Sequence, residues 1–156
     1  PGRVLVPGCG HGYEVLELTR SGCKVTAVDI AADPVARLRR RLADAGLAAR
    51  VVQTDLLAWR PDEPFDMVYE QTFICAIDPS TWQSYEERLS EWLRPGGRLF
   101  ALFMQTGRSG GPPFDCPLPA MRDLFSASRW HWPDADAIDV PHPNGMREKA
   151  VVLTRR

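Results

Sequence analysis

No two of the four cysteines form a C-x-x-C pair. They stand at positions 9, 23, 75 and 116, spacings that suit neither a zinc site nor a redox site. They read as free thiols of a reducing, cytoplasmic setting, each a small buried hydrophobe. Lysine is nearly absent, two residues against 17 arginines, and 19 basic side chains face 20 acidic ones for a formal net charge of -1. That balance offers no track for a phosphate backbone and no polybasic membrane anchor. Long apolar runs are missing too: the longest, Leu99 to Met104, falls far short of the ~18 to 20 residues of a membrane span. The opening Pro1-Gly2-Arg3-Val4-Leu5-Val6 has none of the parts of a secretory signal. The partner these absences leave is a small molecule.

What is present is material for one core: 156 residues, 44% apolar, with five Trp and six Phe, read as a single domain over 1–156. Apolar spacing alternates between short β-like runs and helical periodicity, the mark of an α/β layer fold. Strands are predicted at Arg3–Pro7, Lys24–Asp29, Arg50–Thr54, Phe65–Glu70, Leu99–Met104, Ile138–Val140 and Ala150–Leu153. The first helix carries Val15, Leu16 and Leu18 and stops at Ser21-Gly22. The second opens on Asp33 as cap with Pro34 at its first position, buries Val35, Leu38, Leu42 and Ala45, and turns Arg37, Arg40, Arg41 and Asp44 to solvent. A third follows Asp78-Pro79-Ser80, with Trp82, Tyr85, Leu89 and Trp92 on a core face. A fourth, short helix is marked by Leu118, Met121, Leu124 and Phe125. Between the fifth strand and that helix, Gly107 to Pro113 is too rich in glycine and proline for regular structure.

The first strand runs straight into Gly8-Cys9-Gly10-His11-Gly12, a turn that lets a ligand approach the backbone. A dinucleotide fingerprint needs G-x-G-x-x-G, but counting from Gly8 puts Tyr13 at the last position, and no Lys-Ser or Lys-Thr follows for a P-loop. The observed G-x-G-x-G, followed by Asp29 at the end of the second strand and Asp55 after the third, favours an adenosine cofactor without pyrophosphate. These three elements resemble class I S-adenosylmethionine-dependent methyltransferases. The resemblance implies a doubly wound, Rossmann-like α/β fold with a mostly parallel seven-stranded sheet and an antiparallel last strand. It implies that S-adenosylmethionine is held by Gly8, Cys9, Gly10, Gly12, Asp29, Ile30, Asp55, Leu56 and Glu70. Asp29 would accept from the ribose hydroxyls, Asp55 from the adenine amine, and Leu56 would offer its backbone amide.

The stretch from Phe65 through Tyr69-Glu70-Gln71-Thr72-Phe73-Ile74-Cys75-Ala76-Ile77 to Asp78-Pro79, together with Gly110-Gly111-Pro112-Pro113-Phe114, is similar to the thiopurine methyltransferase family, in the wording of its thiol and halide branch. Gln71 departs from the animal thiopurine enzymes, where an arginine follows the acid. Family members also carry an N-terminal segment over cofactor and substrate, so a lid is expected to be missing from a chain that opens on the first strand. The implied activity is methyl transfer to a small sulfur nucleophile (thiol, hydrosulfide or thiopurine) or to a halide or thiocyanate. Acceptor-site candidates are Gln71, Phe73, Ile74, Pro113 and Phe114. No residue is assigned as acid or base and none as metal ligand, because a thiolate or halide attacks without a dedicated base when it is aligned in a dry site. His11 could touch the cofactor, and His142 and Arg147 the pocket rim. An oxygen or nitrogen acceptor on the same fold, or a binding module without catalysis, stand as alternatives.

Overall fold

The computed structural model describes residues 2–156. Strands β1 (Arg3–Pro7), β2 (Lys24–Asp29), β3 (Arg50–Gln53), β4 (Phe65–Gln71), β5 (Leu93–Gln105), β6 (Trp130–His131), β7 (Ile138–Pro141) and β8 (Arg147–Arg155) form one sheet. Helices α1 (Tyr13–Arg20), α2 (Ala32–Asp44), α3 (Trp82–Trp92) and α4 (Leu118–Leu124) join them. The path β3-β2-β1-β4-β5-β8-β6 is parallel through β5 and antiparallel at β8, with β7 on the same edge of β8 as β6. The chain therefore leaves β1 in one direction for β2 and β3 and returns to its other side for β4. At such a reversal the carboxyl ends of the strands diverge and leave a crevice.

Two apolar clusters hold the layers. Val15 and Leu16 of α1 and Leu38 and Leu42 of α2 pack with Val6, Val25 and Ala27 on one face. Tyr85, Leu89 and Trp92 of α3, with Met121, Phe125 and Trp130, pack against Val68, Leu99, Phe103 and Leu153 on the other. The core role read for Tyr85 and Trp92 thus holds, both being at most 1% exposed.

Four elements differ from the sequence reading, the first being β5, which starts at Leu93, six residues before Leu99, because Leu93 already pairs with Phe65 of β4. Helix α2 begins at Ala32 rather than after Asp33, because Asp29 accepts from the Ala31 amide at 2.9 Å and turns the chain two residues early. The sheet has eight strands, the added one being the two-residue β6, which pairs with Thr154 and Arg155. The last strand starts at Arg147, three residues before the apolar run at Ala150, because its charged opening is paired on both sides, to β5 and to β7. The β7–β8 hairpin closes through His142, whose amide donates to the Met146 carbonyl at 2.8 Å. Among the described residues no helix is long and apolar enough to cross a membrane.

Candidate active site

The glycine loop leaves β1 with Gly8, Gly10 and Gly12 all at positive φ. Two of the three are fixed by packing as well. A Cβ on Gly8 would lie 2.2 Å from the Phe73 ring and one on Gly12 2.6 Å from Leu38, whereas one on Gly10 would meet nothing nearer than a carbonyl at 3.9 Å. Gly10 is therefore where the loop backbone lies open to a ligand. Asp29 ends β2 directly below, its Oδ2 accepting from Gly10 N at 3.0 Å and its Oδ1 from Ala31 N at 2.9 Å. A carboxylate has about four lone-pair sites, so each oxygen keeps capacity for one further donor.

Beside Asp29 opens a cleft of about 380 Å³, lined by Ile30, Asp55, Leu57, Phe73 and Ile77 among others. Ile30 is 69% exposed although apolar, the kind of surface a flat ring covers. Asp55 Oδ1 caps the turn after β3 by accepting from Leu57 N at 3.0 Å. The Leu56 side chain is buried, and what that residue presents to the turn is its backbone. An apolar slot with one acid at each end fits an adenosine. The residues that would hold it are Gly10, Asp29, Ile30, Asp55 and Leu56, five of the nine expected at the cofactor, and Gly8 lines the same cleft.

Cys9 and Glu70 depart from that expectation. The Cys9 thiol is buried among apolar side chains and pushed up to about 12 by that burial. Its amide donates to Val28 O at 3.2 Å, and its carbonyl accepts from Gly12 N at 2.8 Å. Glu70, wholly buried, spends its carboxylate on the protein: Oε1 accepts from Phe73 N at 3.1 Å and Ile74 N at 3.0 Å, and Oε2 accepts from the Tyr85 hydroxyl. Burial pushes Glu70 up to about 7 against the pull of these three donors. Its work is to shape the turn after β4. There Thr72 sits at φ 63°, a left-handed conformation costly for a β-branched residue and typical of functional turns. Helical periodicity marked Tyr85 as core; its hydroxyl's service to Glu70 had no signal of its own.

Phe73 emerges from this turn half-buried, resting on Gly8 and edge-on to Tyr85 at 5.0 Å between ring centres. Phe114 N donates to Cys75 O at 2.7 Å, which ties the glycine- and proline-rich loop to the turn and sets half-buried Pro113 and Phe114 beside it. Ile74 does not line the wall: it is 1% exposed and belongs to the core. Cys75 is buried as well, its thiol pushed up to about 12, which removes it as a nucleophile. The four cysteines are free and no cluster of metal-ligating side chains exists among the described residues.

Gln71, expected to offer its amide to an acceptor, is already engaged. Its Oε1 accepts from Tyr69 OH at 3.0 Å and its Nε2 donates to Glu148 Oε2 at 2.9 Å, leaving one amide proton. Glu148 escaped the sequence reading because it stands inside the charged triplet Arg147-Glu148-Lys149. Of the two residues expected at the rim, His142 lies near enough for its charge to act on Glu148, whereas Arg147 is exposed and faces Asp139 at 3.6 Å. His11 is exposed on the loop, its carbonyl accepting from Arg41 at 2.5 Å.

Comparison with known proteins bears on the fold and the lineage. Residues 1–155 match the family model described as thiopurine S-methyltransferase. A probable thiol methyltransferase of Arabidopsis thaliana is 36% identical over 117 residues, covering 73% of this chain and 52% of that protein. Thiocyanate methyltransferase 1 of the same plant is 34% identical over 127 residues, 80% of this chain and 56% of that protein. The chain thus spans about half the length of the curated relatives it matches. Among solved structures, an N-methyltransferase of Burkholderia thailandensis with bound 1,6-didemethyltoxoflavin and S-adenosylhomocysteine superposes with a TM-score of 0.81 at 21% identity, over 99% of this chain and 71% of that one. That likeness establishes the doubly wound methyltransferase fold, and the family match establishes the lineage: the chain belongs to the thiopurine S-methyltransferase family.

Proposed function

We propose that the chain binds S-adenosylmethionine across its glycine loop and transfers the methyl group to a small sulfur nucleophile. The observation that carries the reading is Asp29, anchored by one backbone amide on each oxygen yet with an acceptor site left on each for two adjacent ribose hydroxyls. The names of the relatives, thiol and thiocyanate methyltransferases, support sulfur as the acceptor atom. Bound there, the cofactor supplies a methyl group activated by a positively charged sulfur. The chain's own part is to align and to dry the site. Gly10 gives backbone access, Ile30 and Leu57 grip the adenine from an apolar slot, and Phe73, Pro113 and Phe114 form the acceptor-side wall. Holding the reacting atoms within ~3 to 3.5 Å and excluding water from the nucleophile supplies most of the acceleration such a displacement needs. Three of the four free thiols are buried and Cys23, against expectation, is only half-buried; free thiols suit a reducing, cytoplasmic location.

The test is S-adenosylhomocysteine release against hydrosulfide, small thiols, a thiopurine, thiocyanate and iodide, with S-adenosylmethionine affinity measured by calorimetry in parallel. Turnover on a sulfur acceptor is expected. Cofactor binding with no turnover on any of them sinks the acceptor chemistry and leaves an oxygen or nitrogen acceptor or a binding module. Asp29→Ala is expected to weaken the cofactor at least ~100-fold, since two charge-assisted hydrogen bonds are lost and the loop loses its anchor at Gly10.

A further inference from the structure

Glu148 is the buried acid that neither the fold nor the cofactor cleft accounts for. It is 0% exposed, Oε2 is held by Gln71, and Oε1 has no hydrogen-bond partner at all. Buried carboxylate oxygens without a donor are rare because desolvation is then uncompensated. Its place is specific. Gln71, the last residue of β4, pairs with Leu102 and Leu102 with Ala150, so Glu148, opposite Met104, stands two residues beyond the end of β4. That is the carboxyl rim, and its charge acts on Glu70 and on Cys75, the residue whose carbonyl the Phe114 amide grips.

We propose that Glu148 is the proton acceptor for a neutral thiol bound at this rim, and that the site therefore takes protonated thiols in preference to anions such as thiocyanate or iodide. The inference rests on the methyl-transfer reading above and narrows its acceptor class. In the step, the S–H bond breaks and its proton passes to Glu148 Oε1. The sulfur pair so released forms the new sulfur–carbon bond, the bond from methyl to sulfonium breaks with its pair kept by the leaving sulfur, and the proton later passes to solvent. Gln71 positions the acid, oriented in turn by the Tyr69 hydroxyl. A permanent anion brought beside an ionised, buried carboxylate meets repulsion that water does little to screen, whereas a neutral thiol meets an acceptor. Burial raises the Glu148 carboxyl above its ordinary range, closer to the thiol it would deprotonate. The groups that face it are Gln71, Tyr69 and Glu70 from β4, Met104 from β5, Val140 from β7, Cys75 from the turn and His142 from the hairpin. Tyr69 is acted on by Glu14 of α1 as well.

E148Q keeps the shape and the bond to Gln71 but cannot take a proton. With an alkyl thiol of ordinary pKa, E148Q is expected to lose ~100-fold or more in kcat at little change in KM, the usual range for general-base removal. With an aromatic thiol already ionised at the assay pH it should lose nothing in kcat and gain in KM as thiocyanate gains in binding, there being no proton left to accept and no buried charge to repel the thiolate. A readout independent of turnover is thiocyanate binding to the protein loaded with S-adenosylhomocysteine, by calorimetry. Removal of the charge should tighten it about tenfold or more. E148D, which retains a carboxylate, should keep the shape of the wild-type pH profile at reduced rate, and it decides the matter if E148Q does not fold. Equal losses on both thiols, or no loss with unchanged thiocyanate binding, overturns the assignment and leaves Glu148 as a strand cross-link. A wild type that binds cofactor but methylates no thiol overturns the methyl-transfer reading itself, and this inference with it.

Discussion

Glu86 and Glu148 are both wholly buried, and the fold treats them in opposite ways. Glu86, on the inner face of α3, receives Arg129 through Nε at 3.0 Å and through Nη2, and Trp130 Nε1 at 2.5 Å. Every oxygen is satisfied and a full positive charge stands against it. Glu148, at the carboxyl rim, has a single neutral donor and an idle oxygen. Burying a carboxylate costs several kcal/mol and is offset only by pairing and hydrogen bonds. The first acid is therefore spent on holding α3 to the start of β6. The second is left uncompensated at the carboxyl rim of the sheet, beyond the end of β4. An acid kept at a cost to stability is the arrangement expected of a group with work to do.

The largest effect that would break this comparison comes from the paired acid. Arg129→Ala strands Glu86 as a buried, unmatched charge. Such losses run to about 3 to 5 kcal/mol; with the guanidinium 40% exposed, we expect about 2 to 3 kcal/mol. For a chain of this length that lowers Tm by roughly 5 to 10 °C. Cofactor affinity should not change, because Glu86 and Arg129 lie in the α3 core away from the glycine loop. A drop in affinity as large as the drop in stability would show that the two acids are not separable.

Tyr85→Phe comes next and bears on Glu70, which stands between the two cases: fully hydrogen-bonded but with no cation. Because burial raises Glu70 to about 7, the folded protein binds its proton more tightly than the unfolded chain. The stability linked to it is therefore greatest below the ordinary carboxyl range and is lost as pH rises toward 7. Removing the Tyr85 donor disfavours the ionised form, so the folded pKa climbs and the loss deepens. We expect about 1 to 2 kcal/mol at pH 8, shrinking toward pH 5, read from urea melts at the two pH values. An equal penalty at both would mean that the hydroxyl does not sense the charge.

The contrast between the acids also explains what could be read from the sequence. Gly8, Gly10, Asp29 and Asp55 were legible because a strand, a glycine turn and two strand-terminal acids follow one another along the chain, so local order carries the geometry. The helices α1, α3 and α4 followed from apolar spacing, with Ser21-Gly22 and Asp78-Pro79-Ser80 as the end and start signals of the first two. Glu148 and Glu86 were not legible, since each draws its meaning from a residue 77 or 43 positions away. Nothing in Arg147-Glu148-Lys149 marks the middle residue as the buried one. Strand β6 was missed for the same reason: its two residues count as a strand only because β8 lies beside them. That the Cys9 and Glu70 side chains are buried and turned to the protein was not legible either, because proximity in sequence to the loop or to the end of β4 does not reveal which groups the backbone itself consumes.

The smallest effect separates the two acids most cleanly, because it predicts a sign. Neutralising Glu86 by E86Q removes the partner of a guanidinium and an indole N–H and must destabilise. Neutralising Glu148 by E148Q removes a buried charge that no cation hydrogen-bonds, His142 acting on it only at a distance, and Gln71 keeps an acceptor in the new side chain. Glu148 is raised by burial, so its linked stability is present at low pH and falls as pH climbs from the ordinary carboxyl range to its raised value. E148Q abolishes that fall. We therefore expect E148Q to match wild type near pH 4.5 and to exceed it by up to about 1 kcal/mol at pH 8, measured by urea melts across that interval. A variant that gains stability while losing thiol turnover would place Glu148 among residues kept for chemistry. A variant that loses stability at pH 8, as E86Q is expected to, would mean that Oε1 is compensated by the fold after all and would remove the physical reason for assigning it a proton.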